Sequence, residues 1–241
     1  VGSEMCIRDR VKDAASLQKS VISGPGLLPK LTALDPALML GLPPHITAAT
    51  GMDALTHAIE AYIGVWERGN RLADGRAAVK LVFQHLPTAF RDGGNVEARE
   101  GMALAAYYGG MAINQVNVGS VHAIAHQVGG RYGIPHGLAN ALILPHVLEY
   151  CREEAENRLA ELAVLIGAGE EGEPAAQLSH KFIAAVRDLR TEVGIPDHSD
   201  LIRAEDHQQL AEQAVAECME YPVPRLLTLS ITLDILRKIS D

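Results

Sequence analysis

A long, alanine-rich helix is predicted by TAATGMDALTHAIEAY, residues 47–62. Its small and apolar residues recur at the 3.6-residue spacing of a helix and do not alternate with polar ones as in a half-buried strand. Alanine has the highest helix propensity and lets neighbouring helices pack closely. EGMALAAYYGGMA at 100–112 has the same character, and only 4% of the chain is aromatic. The sequence therefore predicts a tightly packed, mainly α-helical fold.

Apolar spacing and the positions of proline and glycine extend this prediction along the chain. The nine predicted helices are 46–64, 71–91, 96–113, 119–129, 136–150, 153–167, 174–193, 203–219 and 226–239. Residues 17–45 contain five prolines, which remove hydrogen-bond donors and disfavour helix, so we predict loops and short extended pieces there. The first ten residues, VGSEMCIRDR, have neither a signal-peptide apolar core nor a periodic pattern, and we interpret 1–10 as a non-native leader.

Composition excludes several classes of partner. The 241 residues include 21 basic and 30 acidic side chains, a formal charge of −9, which argues against nucleic-acid or anionic-membrane binding. The charge-free stretch 102–130 is interrupted by Asn, Gln and His, so no membrane span is predicted. Three scattered cysteines provide neither a disulfide framework nor a thiolate metal site, which favours a reducing cytoplasm.

The spacing of several histidines indicates a functional site. Asp53 and His57 are four residues apart on a predicted helix, so their side chains share one face. His122 and His126 repeat this spacing on a later helix. His136 follows a proline at the start of the next predicted helix, where it can turn back toward the same pocket.

Convergent imidazole and carboxylate groups without thiolates are typical of a divalent-metal site, suited to iron(II) (Fe2+) or zinc (Zn2+). A second interpretation stays open from spacing alone. An Asp–His pair one turn apart also forms an ordinary helix-face hydrogen bond, and single histidines among apolar neighbours are commonly structural.

A literal GxGxxG occurs at Gly167, Gly169 and Gly172. It follows a predicted helix rather than a strand, and the glutamates within and beside it would repel a pyrophosphate. We interpret it as an exposed loop between helices and not as a dinucleotide site.

Two longer segments resemble a known family. GMDALTHAIEAY at 51–62 and GSVHAIAHQVGGRYGIPHGLANALILPHVLEY at 119–150 closely resemble the two signature regions of the iron-containing (group III) alcohol dehydrogenases, and a looser likeness runs from Ser16 to the C-terminus. The resemblance implies an N-terminal α/β nucleotide-binding domain, a helical metal domain and an active site between them. It also implies a cytoplasmic oxidoreductase that uses NAD or NADP on a small alcohol or aldehyde, as a homodimer in the complete protein.

The resemblance also assigns residues. The implied metal ligands are Asp53, His57, His122 and His136. His126 corresponds to the residue near the nicotinamide and substrate, and we expect it to shuttle the hydroxyl proton, because imidazole titrates near neutrality. His146 belongs to the same pattern, and we expect it to be a hydrogen-bonded structural residue of the helix core. No cofactor-binding residue is assigned.

The sequence departs from the family in one respect. The glycine-rich GGGS-type phosphate loop is expected before residue 10 and does not occur. Residues 11–45 are therefore interpreted as a remnant of the nucleotide-binding domain with a linker, and 46–241 as an all-helical metal-binding catalytic domain of an incomplete chain. A metal-dependent, NAD(P)-linked alcohol dehydrogenase or aldehyde reductase is the first hypothesis, and a redox-inactive metal-binding helical module is the alternative. Metal-assisted hydrolysis is a weaker third, because no HExxH supplies the usual base.

Overall fold

The computed structural model describes residues 8–12, 19–23, 30–66 and 69–240. Two short strands, β1 (Arg8–Lys12) and β2 (Lys19–Ser23), pair antiparallel, with Arg8 opposite Ser23 and Lys12 opposite Lys19. Residues 8–10 of the predicted leader thus form part of β1, while residues 1–7 lie outside the described residues. The predicted remnant is described only in part, and Pro36–Met39 within it forms one 3-10 turn.

Nine α-helices make up most of the described chain, and the predicted mainly helical fold is confirmed. They are α1 (Pro44–Ile63), α2 (Arg71–Arg91), α3 (Val96–Val116), α4 (Ser120–Tyr132), α5 (His136–Tyr150), α6 (Glu156–Leu165), α7 (Ala175–Glu192), α8 (His207–Cys218) and α9 (Leu229–Ile239). Within the described ranges, no helix combines the length and the apolar character needed to cross a bilayer.

The predicted and observed helix ends differ most in the last third of the chain. α8 begins at His207 rather than at 203, because a 3-10 turn, Ala204–Asp206, precedes it. α9 begins at Leu229 rather than at 226, since the extended Thr228 caps it by accepting a hydrogen bond from the Ile231 N–H. Because the apolar spacing continues through such turns and capping residues, it does not show where these helices begin.

Helix α1 is the central element. Thirteen of its twenty residues are buried, and α2, α3 and α5 pack along it. Small residues allow the close approach: a Cβ on Gly109 of α3 would lie 2.9 Å from the Ala54 carbonyl oxygen, and one on Gly137 of α5 would lie 2.2 Å from that of Ala49. The polar side chains of α1 are therefore held in contact with its neighbours.

Two buried arginines anchor the ends of α1. At its C-terminal end, Arg71 Nη1 donates to the carbonyl oxygens of Ala61 (2.7 Å) and Tyr62 (3.0 Å), which have no partner within the helix. Near its N-terminal end, Arg99 Nη1 donates to Thr47 Oγ1 at 2.7 Å. These contacts hold one end of α1 against α2 and the other against α3, and so fix the position of the residues between them.

Candidate metal centre

Three helices bring one carboxylate and three imidazoles together. Asp53 and His57 lie one turn apart on α1, His122 lies in the first turn of α4, and His136 is the first residue of α5. One potential ligand atom from each of these residues lies within 4.8 Å of all the others. We call Asp53, His57, His122 and His136 the Asp–His cluster.

The three histidines of the cluster lie around one carboxylate oxygen of Asp53. Asp53 Oδ1 lies 3.7 Å from the Nε2 atom of His57, of His122 and of His136. The His57 and His122 rings are stacked, with centroids 4.8 Å apart. The His122 side chain is fully buried, whereas that of His136 is 34% exposed, so solvent reaches the cluster on the side of His136.

Local electrostatics suit a cation. Burial, followed by the neighbouring charge of His57, holds the pKa of His122 well below its usual value, so this imidazole is neutral at neutral pH. Burial alone would raise the pKa of Asp53, but His57, His136 and His122 outweigh it and lower that pKa. An ionised carboxylate beside a neutral imidazole is the donor chemistry that a divalent transition metal requires.

Sequence reasoning missed Glu60. This buried residue of α1 accepts hydrogen bonds from the backbone N–H groups of Gly119 (2.8 Å) and Val121 (2.6 Å), and its Oε2 lies 2.6 Å from His122 Nδ1. Burial raises the pKa of Glu60 to about 7, against the lowering effect of the backbone hydrogen bonds. A sequence signal was present, since Glu60 follows His57 by three residues and shares its helix face.

Asn140 was also missed. It lies one turn after His136 on α5, and its Nδ2 donates to Asp53 Oδ1 at 2.6 Å. The same nitrogen lies 3.1 Å from His122 Nε2 and 3.2 Å from His136 Nε2. Its Oδ1 is buried without a hydrogen-bond partner among the described residues. Because rotation of an amide exchanges its oxygen and nitrogen, Asn140 can offer the cluster either a donor or an acceptor.

His126 lies beside the cluster and is not part of it. Its ring stacks on that of His136, with centroids 5.4 Å apart, and its Nδ1 lies 2.6 Å from Glu217 Oε1 on α8. Glu217 also accepts hydrogen bonds from Gln127 (2.6 Å) and from the Tyr221 hydroxyl (2.5 Å). Burial would raise the pKa of Glu217, but the hydrogen bond and charge of His126 lead the interactions that lower it. His126 Nε2 is buried and has no hydrogen-bond partner in the part of the chain that the structure describes.

The remaining predicted features lie elsewhere. The GxGxxG segment forms the turn between α6 and α7, where Gly167 and Gly172 have positive φ angles. His146 is partly buried on α5, and the expected hydrogen bond of its ring is not found among residues 30–66 and 69–240.

Comparison with known proteins identifies the family. Residues 47–240 match the model for the C-terminal part of the Fe-containing alcohol dehydrogenase family. The chain belongs to the iron-containing alcohol dehydrogenase family. All members of the Asp–His cluster, together with Glu60, His126, Asn140 and Glu217, lie within the matched range of this family member.

Individual relatives share this relationship. The alcohol dehydrogenase family chain is 43% identical over 202 residues to 1,3-propanediol dehydrogenase of Klebsiella pneumoniae, covering 82% of this chain and 52% of that one. It is 35% identical over 229 residues to NAD-dependent methanol dehydrogenase of Bacillus methanolicus, covering 94% and 60%. A solved 1,3-propanediol oxidoreductase structure superposes with a TM-score of 0.93 at 38% identity, covering 98% of this chain and 62% of that one. The chain thus spans about half to three fifths of the length of these relatives.

Proposed function

We propose that this protein takes part in metal-dependent, NAD(P)-linked interconversion of small alcohols and aldehydes, with the Asp–His cluster holding iron(II) or zinc. The main observation in support of this proposal is that four potential donor atoms lie within 4.8 Å of one another. Membership of the iron-containing alcohol dehydrogenase family supports this chemistry over hydrolysis.

The donor set explains the choice of ion and its role. One carboxylate and three neutral imidazoles leave a bound divalent ion with a net positive charge, and iron(II) and zinc both accept these ligands. When bound, such an ion acts as a Lewis acid on the oxygen of an alcohol or aldehyde. A nicotinamide supplies the hydride chemistry, a role supported by the relative named as an NAD-dependent methanol dehydrogenase.

His126 is the residue that moves the hydroxyl proton in this proposal. Glu217 holds His126 Nδ1 at 2.6 Å, which leaves Nε2, unpartnered within the described ranges, available as the proton acceptor. The stacking of its ring on His136 keeps His126 next to the Asp–His cluster. A cavity of about 210 Å³ between α4 and α8 is lined by His126 and Gln127.

The test measures metal binding first and NADH oxidation second. The purified protein is loaded with iron(II) or zinc without oxygen, and its metal content is measured by elemental analysis beside Asp53→Ala and His122→Ala. We expect both variants to lose metal, because each removes a donor atom, and full occupancy in either would refute the cluster. NADH oxidation with a short aldehyde is then followed in the loaded protein. Metal binding without NADH oxidation favours the redox-inactive module.

The assembly state is a separate proposal. The homodimer that the family resemblance implies for the complete protein stays a prediction, and sedimentation velocity of the complete protein tests it. A single species at the mass of one chain would contradict it.

A further inference from the structure

We infer that Glu60 is a positioning residue for the metal site: it fixes the His122 tautomer that carries hydrogen on Nδ1 and a free lone pair on Nε2. This inference rests on the proposed function, because it assigns His122 Nε2 to the metal. Glu60 itself is not a member of the Asp–His cluster.

The contact with Glu60 specifies the tautomer, and the contact with Asn140 matches it. A neutral imidazole has one N–H donor and one acceptor nitrogen. His122 Nδ1 lies 2.6 Å from Glu60 Oε2. Both oxygens of Glu60 already accept a backbone N–H, from Gly119 and from Val121, and hydrogen bonds of this kind favour the ionised, accepting carboxylate, so we assign the hydrogen to His122 Nδ1. On the other side of the ring, the Asn140 amide nitrogen lies 3.1 Å from Nε2, and in this orientation of the amide it faces Nε2 as a donor, which matches a lone pair there. Since the His122 side chain is fully buried, water does not compete for either nitrogen.

The carboxylate is itself fixed by the backbone. Gly119 and Val121 donate N–H groups to its two oxygens at 2.8 and 2.6 Å. These donors belong to the start of α4, where the unpaired N–H groups of a helix favour a negative charge. Gly119 is required for this approach, since a Cβ there would lie 2.8 Å from Glu60 Oε1. Glu60 therefore orients the His122 ring and the helix that carries it at the same time.

A second pair on α4 provides a matched control. His126 Nδ1 lies 2.6 Å from Glu217, the same separation as between His122 and Glu60. His126 is outside the Asp–His cluster. Loss of the Glu217 carboxylate therefore removes an equivalent hydrogen bond without touching a donor to the metal.

The first experiment determines the tautomer in the unsubstituted protein. Metal-free protein labelled with 15N-histidine is examined at pH 8 by long-range 1H–15N correlation, with His122 assigned from the spectrum of His122→Gln. We expect the pattern of an Nδ1–H, Nε2-lone-pair imidazole. An Nε2–H pattern overturns the inference, whether or not the protein binds metal.

The second experiment measures affinity by titrating Zn2+ against a chromophoric chelator. We expect Glu60→Gln to weaken binding by about 10–100-fold, the usual effect of removing a hydrogen-bond partner of a metal-bound histidine. Glu60→Asp, which keeps a carboxylate, should fall between Glu60→Gln and the wild type, and Glu217→Gln should bind as the wild type does. Unchanged affinity in a Glu60→Gln protein with native circular dichroism overturns the inference.

The two proposals fail separately. If the wild-type protein binds no Zn2+, the proposed metal site is refuted, while the histidine spectrum still decides the tautomer. If Glu60→Gln does not fold, the spectrum of the wild-type protein and the affinity of Glu60→Asp carry the test.

Discussion

His126 Nδ1 and Glu217 Oε1 lie 2.6 Å apart where α4 packs against α8. The two residues are 91 positions apart in the sequence. One turn earlier on α4, His122 forms the corresponding contact with Glu60 from α1. A single short helix thus presents two histidines, each oriented by a carboxylate from a different helix, and only one of them belongs to the Asp–His cluster.

The first prediction concerns the Glu217–His126 pair. We expect His126→Ala to lower kcat for aldehyde reduction by about 100-fold or more, because general acid–base catalysis contributes about 10²–10⁴-fold. Glu217→Gln should give a smaller decrease in kcat than His126→Ala, with KM changing less than kcat, since the imidazole remains but is less well oriented. Steady-state kinetics and metal analysis of the same preparations check this. A wild-type kcat in His126→Ala, at full metal content, would remove His126 from the mechanism.

The second prediction concerns metal and stability. A ligand that binds only the folded state stabilises it by about 2.7 kcal/mol at 100 times its Kd, which for a chain of this size corresponds to a rise in Tm of about 5–10 °C. We expect Zn2+ to raise the Tm of the wild-type protein and a chelator to reverse the rise. Differential scanning calorimetry of Asp53→Ala serves as the control. An equal rise in that variant would show that Zn2+ binds elsewhere.

The third prediction concerns the contact of α5 with α1. A Cβ on Gly137 would lie 2.2 Å from the Ala49 carbonyl oxygen, and backbone cannot give way cheaply. We expect Gly137→Ala to lower the free energy of unfolding by about 1–3 kcal/mol, as overpacking does, and to displace the adjacent His136. Gly130→Ala on α4 is the control, since no atom of the described residues outside its own helix backbone and chain neighbours lies within 4 Å of its added Cβ. Alanine should stabilise that helix by about 0.5–1 kcal/mol. Urea unfolding distinguishes the two variants, and equal effects would contradict the packing argument.

The fourth prediction concerns acid stability. Burial, followed by the positive charges of Lys238, Arg190 and Arg187, lowers the pKa of His146 from 6.5 to about 4, although Asp234 opposes this. The unfolded chain accepts a proton on His146 at a higher pH than the folded protein does. The stability that neutral His146 allows is therefore fully present above pH 6.5, and the free energy of unfolding decreases as the pH falls toward 4. A shift of this size corresponds to about 3 kcal/mol at most.

Solvent screening at this partly exposed ring should reduce its effect to about 1–2 kcal/mol. We therefore expect His146→Gln to lose less free energy of unfolding than the wild type between pH 7.5 and pH 4.5. Urea titrations at the two pH values measure the difference. Parallel losses in both proteins would show that other groups control acid stability.

Much of the fold was predictable because helix formation is local. The predicted ranges of α2 and α5 coincide with the observed ones, since apolar spacing runs through both, glycines flank α2 on both sides and Pro135 precedes α5. The shared helix face of Asp53 and His57 was predictable for the same reason. The N-terminal boundary of α9 was not, because the Thr228 cap leaves no trace in the periodicity.

The sequence by itself determined the helices, the paired spacing of their histidines and, through the family resemblance, which four residues to consider as metal ligands. Spacing alone treated His122 and His126 alike, and the family resemblance implied different roles for them. The tertiary structure gives the physical difference, because helix packing brings His122 Nε2 to Asp53 and His126 Nδ1 to Glu217. The tertiary structure also placed Glu60 and Asn140 in contact with the cluster. The physical reason is that a helix face follows from neighbouring residues, whereas a hydrogen bond across 62 or 91 positions depends on how the helices pack.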